Sequence, residues 1–190
     1  MKTRAILASV GAIAALAFST TQAVAAYEFY FQVEGKTQGQ FKGESTREAW
    51  QDWLVGLAYD YHVTSPRDIS TGQASGVRQH GPVTVTKVWG ASTPQFFQAL
   101  VTNEVLPKVE FNFLQTSPKG TDEVYHKVTL RNAIVVDITH RTETVEGAST
   151  GKTSGAQMFE FEDISFAFQR IEIENIPGRT MAEDDWWTPR

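Results

Sequence analysis

The chain has 190 residues, with 17 Lys plus Arg against 22 Asp plus Glu for a formal net charge of −5. That length can bury the core of one domain, and the acidic balance argues against a nucleic-acid backbone as partner. It has no cysteine, which excludes disulfides, thiolate metal sites and a cysteine nucleophile.

The chain opens with a basic start, Met1-Lys2-Thr3-Arg4, an apolar run from Ala5 to Phe18, and the small-residue pattern Ala23-Val24-Ala25-Ala26. Residues 1–26 therefore read as a secretory signal peptide, too short for a comfortable span of about 20 apolar residues. Cleavage leaves a chain starting near Tyr27 with no membrane insertion. Without Lys2 and Arg4 it carries 15 basic against 22 acidic side chains, a net of −7. The expected location is secreted or periplasmic.

From Tyr27 onward the dominant pattern is period-2 alternation, the mark of half-buried strands. Glu28 to Val33 presents Phe29, Phe31 and Val33 on one face. After a stretch punctuated by Gly35, Gly39 and Gly43, a second run places Trp53, Val55, Leu57, Tyr59, Tyr61 and Val63 on one face. Thr64 to Pro82 is polar and unpatterned and reads as one long loop, a feature that in a compact domain is usually functional or disordered. Val83 to Trp89 alternates again. Ser92-Thr93-Pro94 has the form of a helix start, a hydroxyl cap followed by Pro at the first helical position. Phe96, Phe97, Leu100 and Val101 then make an apolar helical face that ends near Asn103. Strands resume with Val109, Phe111 and Phe113, a turn at Ser117 to Gly120, a strand from Val124 to Leu130, and a stripe of Ile134, Val136 and Ile138. Gly147 to Gly155 reads as a second loop. Met158 to Phe168 and Arg170 to Ile176 are the last strands, before an acidic and aromatic end at Glu183 to Trp187. Seven or eight strands and one short helix predict an all-β fold, a small antiparallel β-barrel with one flanking α-helix, because closure removes exposed edges. The domain is expected over 27–176, with 177–190 as a C-terminal tail.

A search for chemistry finds none. The histidines His62, His80, His126 and His140 have no metal-ligand spacing, and His80, within the loop, reads as solvated. The pairs Glu160/Glu162 and Glu172/Glu174 are i, i+2 neighbours on a strand and read as solvent-facing. No serine sits in a G-x-S-x-G elbow, and Gly151-Lys152-Thr153 lacks the upstream glycines of a phosphate loop. No catalytic, metal or cofactor residue is assigned, and no enzyme activity is expected.

Several stretches resemble the Hcp (haemolysin-coregulated protein) family of type VI secretion tube proteins. Tyr27 to Gly35 looks like the family's first strand, and Phe41-Lys42-Gly43-Glu44-Ser45-Thr46 is similar to its Gly-Glu-Ser-Thr turn. Ser75-Gly76 followed by His80 to Lys87 looks like the end of its long loop and the next strand. Ser92-Thr93-Pro94 with Phe96, Ala99 and Leu100 resembles its helix, and Phe159 to Ile171 its late strand pair. The resemblance implies hexameric rings that stack into a tube and carry effectors, with the chain itself as first partner and type VI spike, sheath or effector proteins as others. It implies an extended loop that reaches the next ring, so Arg67, Asp68, Ser75, Gly76, Arg78 and Lys87 are expected in assembly, beside the motif turn Gly43, Glu44, Ser45 and Thr46. Two features depart from it: Gly90 stands where the family usually has an acid three residues after the lysine, and a tube subunit needs no signal peptide. An exported binding module, monomeric or ring-shaped, is the alternative, with Trp50, Trp89, Trp186 or Trp187 as its platform.

Overall fold

A computed structural model describes residues 29–117, 120–145 and 157–186. The signal-peptide segment, the 147–155 loop and Trp187 lie outside the described residues. Ten strands follow in order: β1 (Phe29–Gly35), β2 (Gly39–Gln40), β3 (Leu54–Gly56), β4 (Ala58–Thr64), β5 (Gln79–Val88), β6 (Leu106–Thr116), β7 (Asp122–Val145), β8 (Gln157–Ala167), β9 (Arg170–Asn175) and β10 (Thr180–Asp185). The helix α1 (Thr93–Thr102) and a 3-10 turn at Glu48–Trp50 complete the fold. It is mainly β with a single helix, as the alternation predicts.

The organiser is β7, 24 residues long. Its first half lies between β6 and β9, and its second half pairs with β8. One sheet continues from β6 to β1, and the other from β8 through β5 to β4, all antiparallel. The hydrogen-bonded ladder does not close. Instead the chain itself spans the gap: β3 pairs with β1, β4 pairs with β5, and one residue, Leu57, joins them, its N–H donating to Thr86 O at 2.8 Å. That junction shifts the phase of the run. Leu54 and Gly56 are buried before it, Leu57 and Ala58 are exposed at it, and Tyr59 and Tyr61 pack on the core after it. The single apolar face expected over 53–63 is therefore two faces joined at a bend.

A second correction lies within β7. The register slips between Val135 and Asp137, so Ala133 and Val135 are buried while Val136 is 43% exposed. The stripe expected at Ile134, Val136 and Ile138 keeps only Ile138 against the core. Strands 124–130 and 134–138 are one strand and not two.

The core gathers Phe29, Phe31, Phe111 and Phe166 with Phe96 from the helix. Phe31 and Phe111 stack 5.6 Å apart, and full burial of such a side chain contributes about 1.5–3 kcal/mol. Tyr30, on the opposite face of β1, is buried as well, stacked 5.2 Å from Trp50 of the 3-10 turn. The helix buries Phe96 and Ala99, whereas Phe97 and Val101 are 56% and 55% exposed. Ser92 is helical and makes no capping bond, and Asn103 ends the helix in the left-handed conformation. Residues 180–185, read from sequence as tail, form β10 on β9.

Candidate functional site: loop, motif turn and exposed apolar surface

The long segment is not unpatterned. β4 runs to Thr64 and β5 starts at Gln79, leaving 65–78 as the loop. An isolated bridge joins Arg67 to Ala74, and Ser75 N–H donates to Pro66 O at 3.0 Å. Asp68 closes the tip: its Oδ1 accepts from the N–H groups of Ser70 (2.9 Å) and Thr71 (2.8 Å) and from the Thr71 hydroxyl. The Thr71 backbone and side-chain bonds and that of Ser70 hold this carboxyl below its usual range. Such a side-chain-to-backbone turn preorganises the tip. It holds Ile69 fully in solvent, with Val77 71% exposed further along. Gly76 packs 3.6 Å from Pro66 as measured from an ideal Cβ.

The structure separates Arg78 from the tip. Its guanidinium bonds Asp184 and donates to Asp185 O at 2.7 Å. His80 is also no solvated loop residue. Its side chain is 5% exposed and wedged between Tyr61 and Asp184. Asp184, ionised beside Arg78, can only accept, so His80 Nε2 carries the proton it donates at 2.9 Å. Nδ1 is then the acceptor for the Tyr61 hydroxyl at 2.5 Å. Burial pushes the Asp184 carboxyl up, but the bonds from Arg78 and His80 and the Arg78 charge outweigh it and hold the group below its usual range. Burial, then the Asp184 charge, pushes the Tyr61 hydroxyl up. Trp186 stacks on His80 at 5.4 Å.

The motif turn meets Lys87 at the other end of β5. Across β5, β8 and β7 the inward rows are Val83–Phe166–Val135, Val85–Ile164–Ile138 and Lys87–Glu162–His140. In the last row the ionic pair is dry, Lys87 being 1% exposed and Glu162 0%, while His140 is 40% exposed at its edge. Lys87 Nζ lies 2.8 Å from Glu162 Oε1 and donates to Val88 O at 2.7 Å. The Thr93 hydroxyl, in the first turn of α1, also donates to Oε1 at 2.8 Å. His140 Nε2 lies 3.3 Å from Oε2 without completing a hydrogen bond. Glu162 is thus no solvent-facing carboxylate, although Glu160 is exposed. The second pair is tied to the surface: Glu172 lies 3.3 Å from Arg170 and 3.5 Å from Arg131.

Glu44 of the motif turn reaches over this row, 3.9 Å from Lys87 Nζ. Gly90 makes room for it, since a Cβ there would fall 1.9 Å from Glu44 Oε1. Gly43 is required by close approach, an ideal Cβ falling 2.1 Å from the Trp53 carbonyl carbon. Ser45 is buried, donating its N–H to Trp53 O and accepting from Asp52 N–H, and Thr46 is exposed. Gly43, Ser45 and Lys87 are thus used in packing within the chain, while Glu44 and Thr46 are exposed, and the loop tip stands apart at the far end of β5. Sequence reasoning missed the partnerships of Glu162, Thr93, Asp184 and Trp186, which reach 69 or more positions along the chain.

Among the described residues the candidate tryptophans do not share one platform. Trp186 stacks on His80 near the start of β5, and Trp89 follows its end, roughly 30 Å away at about 3.3 Å per residue. Trp50 is turned against Tyr30 and Trp53.

A family model described as "Type VI secretion system effector, Hcp" matches residues 30–174. The "Major exported protein" of Pseudomonas aeruginosa is 30% identical over 169 residues, covering 84% of this chain and 95% of that protein. Among solved structures, one described as an Hcp protein superposes with a TM-score of 0.76 at 26% identity, covering 86% of this chain and 100% of that one. The secreted protein Hcp3 from Pseudomonas aeruginosa superposes with a TM-score of 0.65 at 26% identity, covering 86% and 100%.

Proposed function

The chain belongs to the Hcp family, the structural tube proteins of type VI secretion, and from that premise we propose that six copies close into a ring and that rings stack through the 65–78 loop. The observation that carries this reading is the apolar surface a single copy leaves in water. Ile69 stands at the tip of a preorganised loop, and Phe97 and Val101 stand on the outer face of α1. Exposed apolar groups on rigid elements mark interaction surfaces. Head-to-tail contacts that close by rotation convert such surfaces into a ring. Effectors occupy the lumen, and spike and sheath proteins meet the ring faces. Residues 1–26 direct export, and the ring works outside the cytoplasm.

The test is the mass of the purified chain from Tyr27 to Arg190, by size exclusion with light scattering. A species of six subunits supports the ring, and Phe97→Glu or Ile69→Asp should reduce it or its higher multiples respectively. A monomer at all concentrations refutes it. N-terminal sequencing of the exported protein, expected to begin near Tyr27, tests the location; an intact Met1 refutes cleavage.

A further inference from the structure

At the loop end of the fold the inner faces of the β4–β5 and β9–β10 hairpins diverge and leave an open cleft of about 240 Å³. Its floor is Ile171 and Ile173, its sides are Val63 and Ala182, and its polar wall is Tyr61, His80 and Asp184. The register explains the lining: Ile171 lies opposite Asp184 and Ile173 opposite Ala182, so these four side chains project from one face of the hairpin. Val63, opposite His80, stands 49% exposed at the mouth.

Two properties distinguish this cleft from a simple packing gap. Its walls cannot collapse, because the Tyr61–His80–Asp184 chain of hydrogen bonds, extended to Arg78, braces one hairpin against the other. Phe168 and Trp186, both packed on His80, buttress it from behind. Its polar groups are also turned toward each other: the Tyr61 hydroxyl is used on His80, and Asp184 is used on His80 and Arg78. The remaining lining is apolar apart from Glu183, whose carboxylate pairs with Arg170, so both acidic groups at the cleft disfavour an anion. Rigid apolar surface in contact with water gains by contact with an apolar group. An engineered apolar cavity of about 150 Å³ takes up benzene, so this volume accommodates a substituted ring.

We propose that this cleft is a binding site for an uncharged aromatic small molecule. The test is a methyl NMR titration of the full assembled protein with toluene and, separately, with phenylacetate. Toluene should give saturable shifts confined to the methyls of Val63, Ile171, Ile173 and Ala182. Phenylacetate should bind at least about tenfold more weakly, because its carboxylate approaches Asp184. Ala182→Trp, which fills the cleft from an exposed strand position, should abolish the saturable shifts. Met181→Trp, on the opposite face of β10, should leave them intact and so control for damage to the hairpin. Shifts that rise linearly or spread over the molecule overturn the proposal. So does an unaltered titration in Ala182→Trp, equal binding of phenylacetate, or an assembled protein whose cleft methyls do not respond.

Discussion

Removing the carboxylate of Glu162 should be among the most damaging single changes in the second sheet. Lys87 and Glu162 are 1% and 0% exposed and 2.8 Å apart. At an effective dielectric constant near 20, that separation corresponds to about 6 kcal/mol of attraction. Much of it is offset by the cost of taking both charges out of water. The pair as a whole therefore contributes little net stability, but either member alone is expensive. In Glu162→Ala the ammonium keeps Val88 O at 2.7 Å and gains nothing from Glu44, which stays at 3.9 Å and partly in solvent. The expected loss is about 3–5 kcal/mol, or a Tm lower by about 6–20 °C for a domain of this size. Lys87→Met strands the carboxylate instead, leaving it only the Thr93 hydroxyl as a hydrogen-bond donor, and should cost a similar amount. The double variant Lys87→Met with Glu162→Leu should fall within about 1 kcal/mol of the parent or exceed it. Urea unfolding followed by circular dichroism, at one fixed protein concentration because assembly shifts apparent stability, measures all three. A Glu162→Ala cost below about 1 kcal/mol, or a double variant as unstable as the sum of the singles, refutes the reasoning.

Two further outcomes follow from close approaches and charge. Gly43→Ala forces a Cβ to 2.1 Å from Trp53 backbone, which cannot swing aside, and should cost about 2–3 kcal/mol. Gly90→Ala meets only the movable end of Glu44 and should cost under about 1.5 kcal/mol, so equal losses in urea unfolding would contradict the difference. For Glu110, burial pushes the carboxyl up, but bonds from Lys108 and Asn112 and the charges of Lys127 and Lys108 bring it down from 4.5 to about 2. A carboxyl lowered on folding stabilises above its unfolded value, and that contribution is lost as pH falls through the folded one. Glu110→Gln should therefore flatten the acid limb of stability between pH 4.5 and about 2, and an unchanged pH profile refutes the assignment.

Alternation made most strands readable, because a sheet with one buried face repeats every two residues. It failed where the backbone adds a residue. At the Leu57 bend and at the Val136 bulge the period continues in the sequence but the faces exchange, and no local signal marks either one. The helix boundaries were readable from Pro94 and Asn103. Its apolar side chains split between core and water, however, because a period of 3.6 identifies a stripe and not its width. The polar groups were least readable. Glu160 and Glu162 look alike in sequence and lie at opposite extremes of exposure, since only the one opposite Lys87 has a partner. His80 looks like a loop residue until Tyr61, 19 positions before it, and Asp184, 104 after it, close on its ring.

The ionic row also has a role that stability alone does not describe. The two rows beside it, Val83–Phe166–Val135 and Val85–Ile164–Ile138, are chemically interchangeable. A two-residue slip of β5 along β8 keeps the same faces inward and exchanges one aliphatic or aromatic contact for another, at little cost in buried area. The same slip places Lys87 opposite Ile164 or Glu160. The first strands two buried charges, and the second draws an exposed carboxylate to the end of the strand and leaves Glu162 alone inside. Lys87 and Glu162 therefore select one register among several that the apolar rows tolerate. The register of β5 fixes where the 65–78 loop emerges, and so where Ile69 would stand in the proposed ring. A closed ring requires that every copy present that loop at one height, and a buried pair with almost no net stabilisation supplies that uniformity.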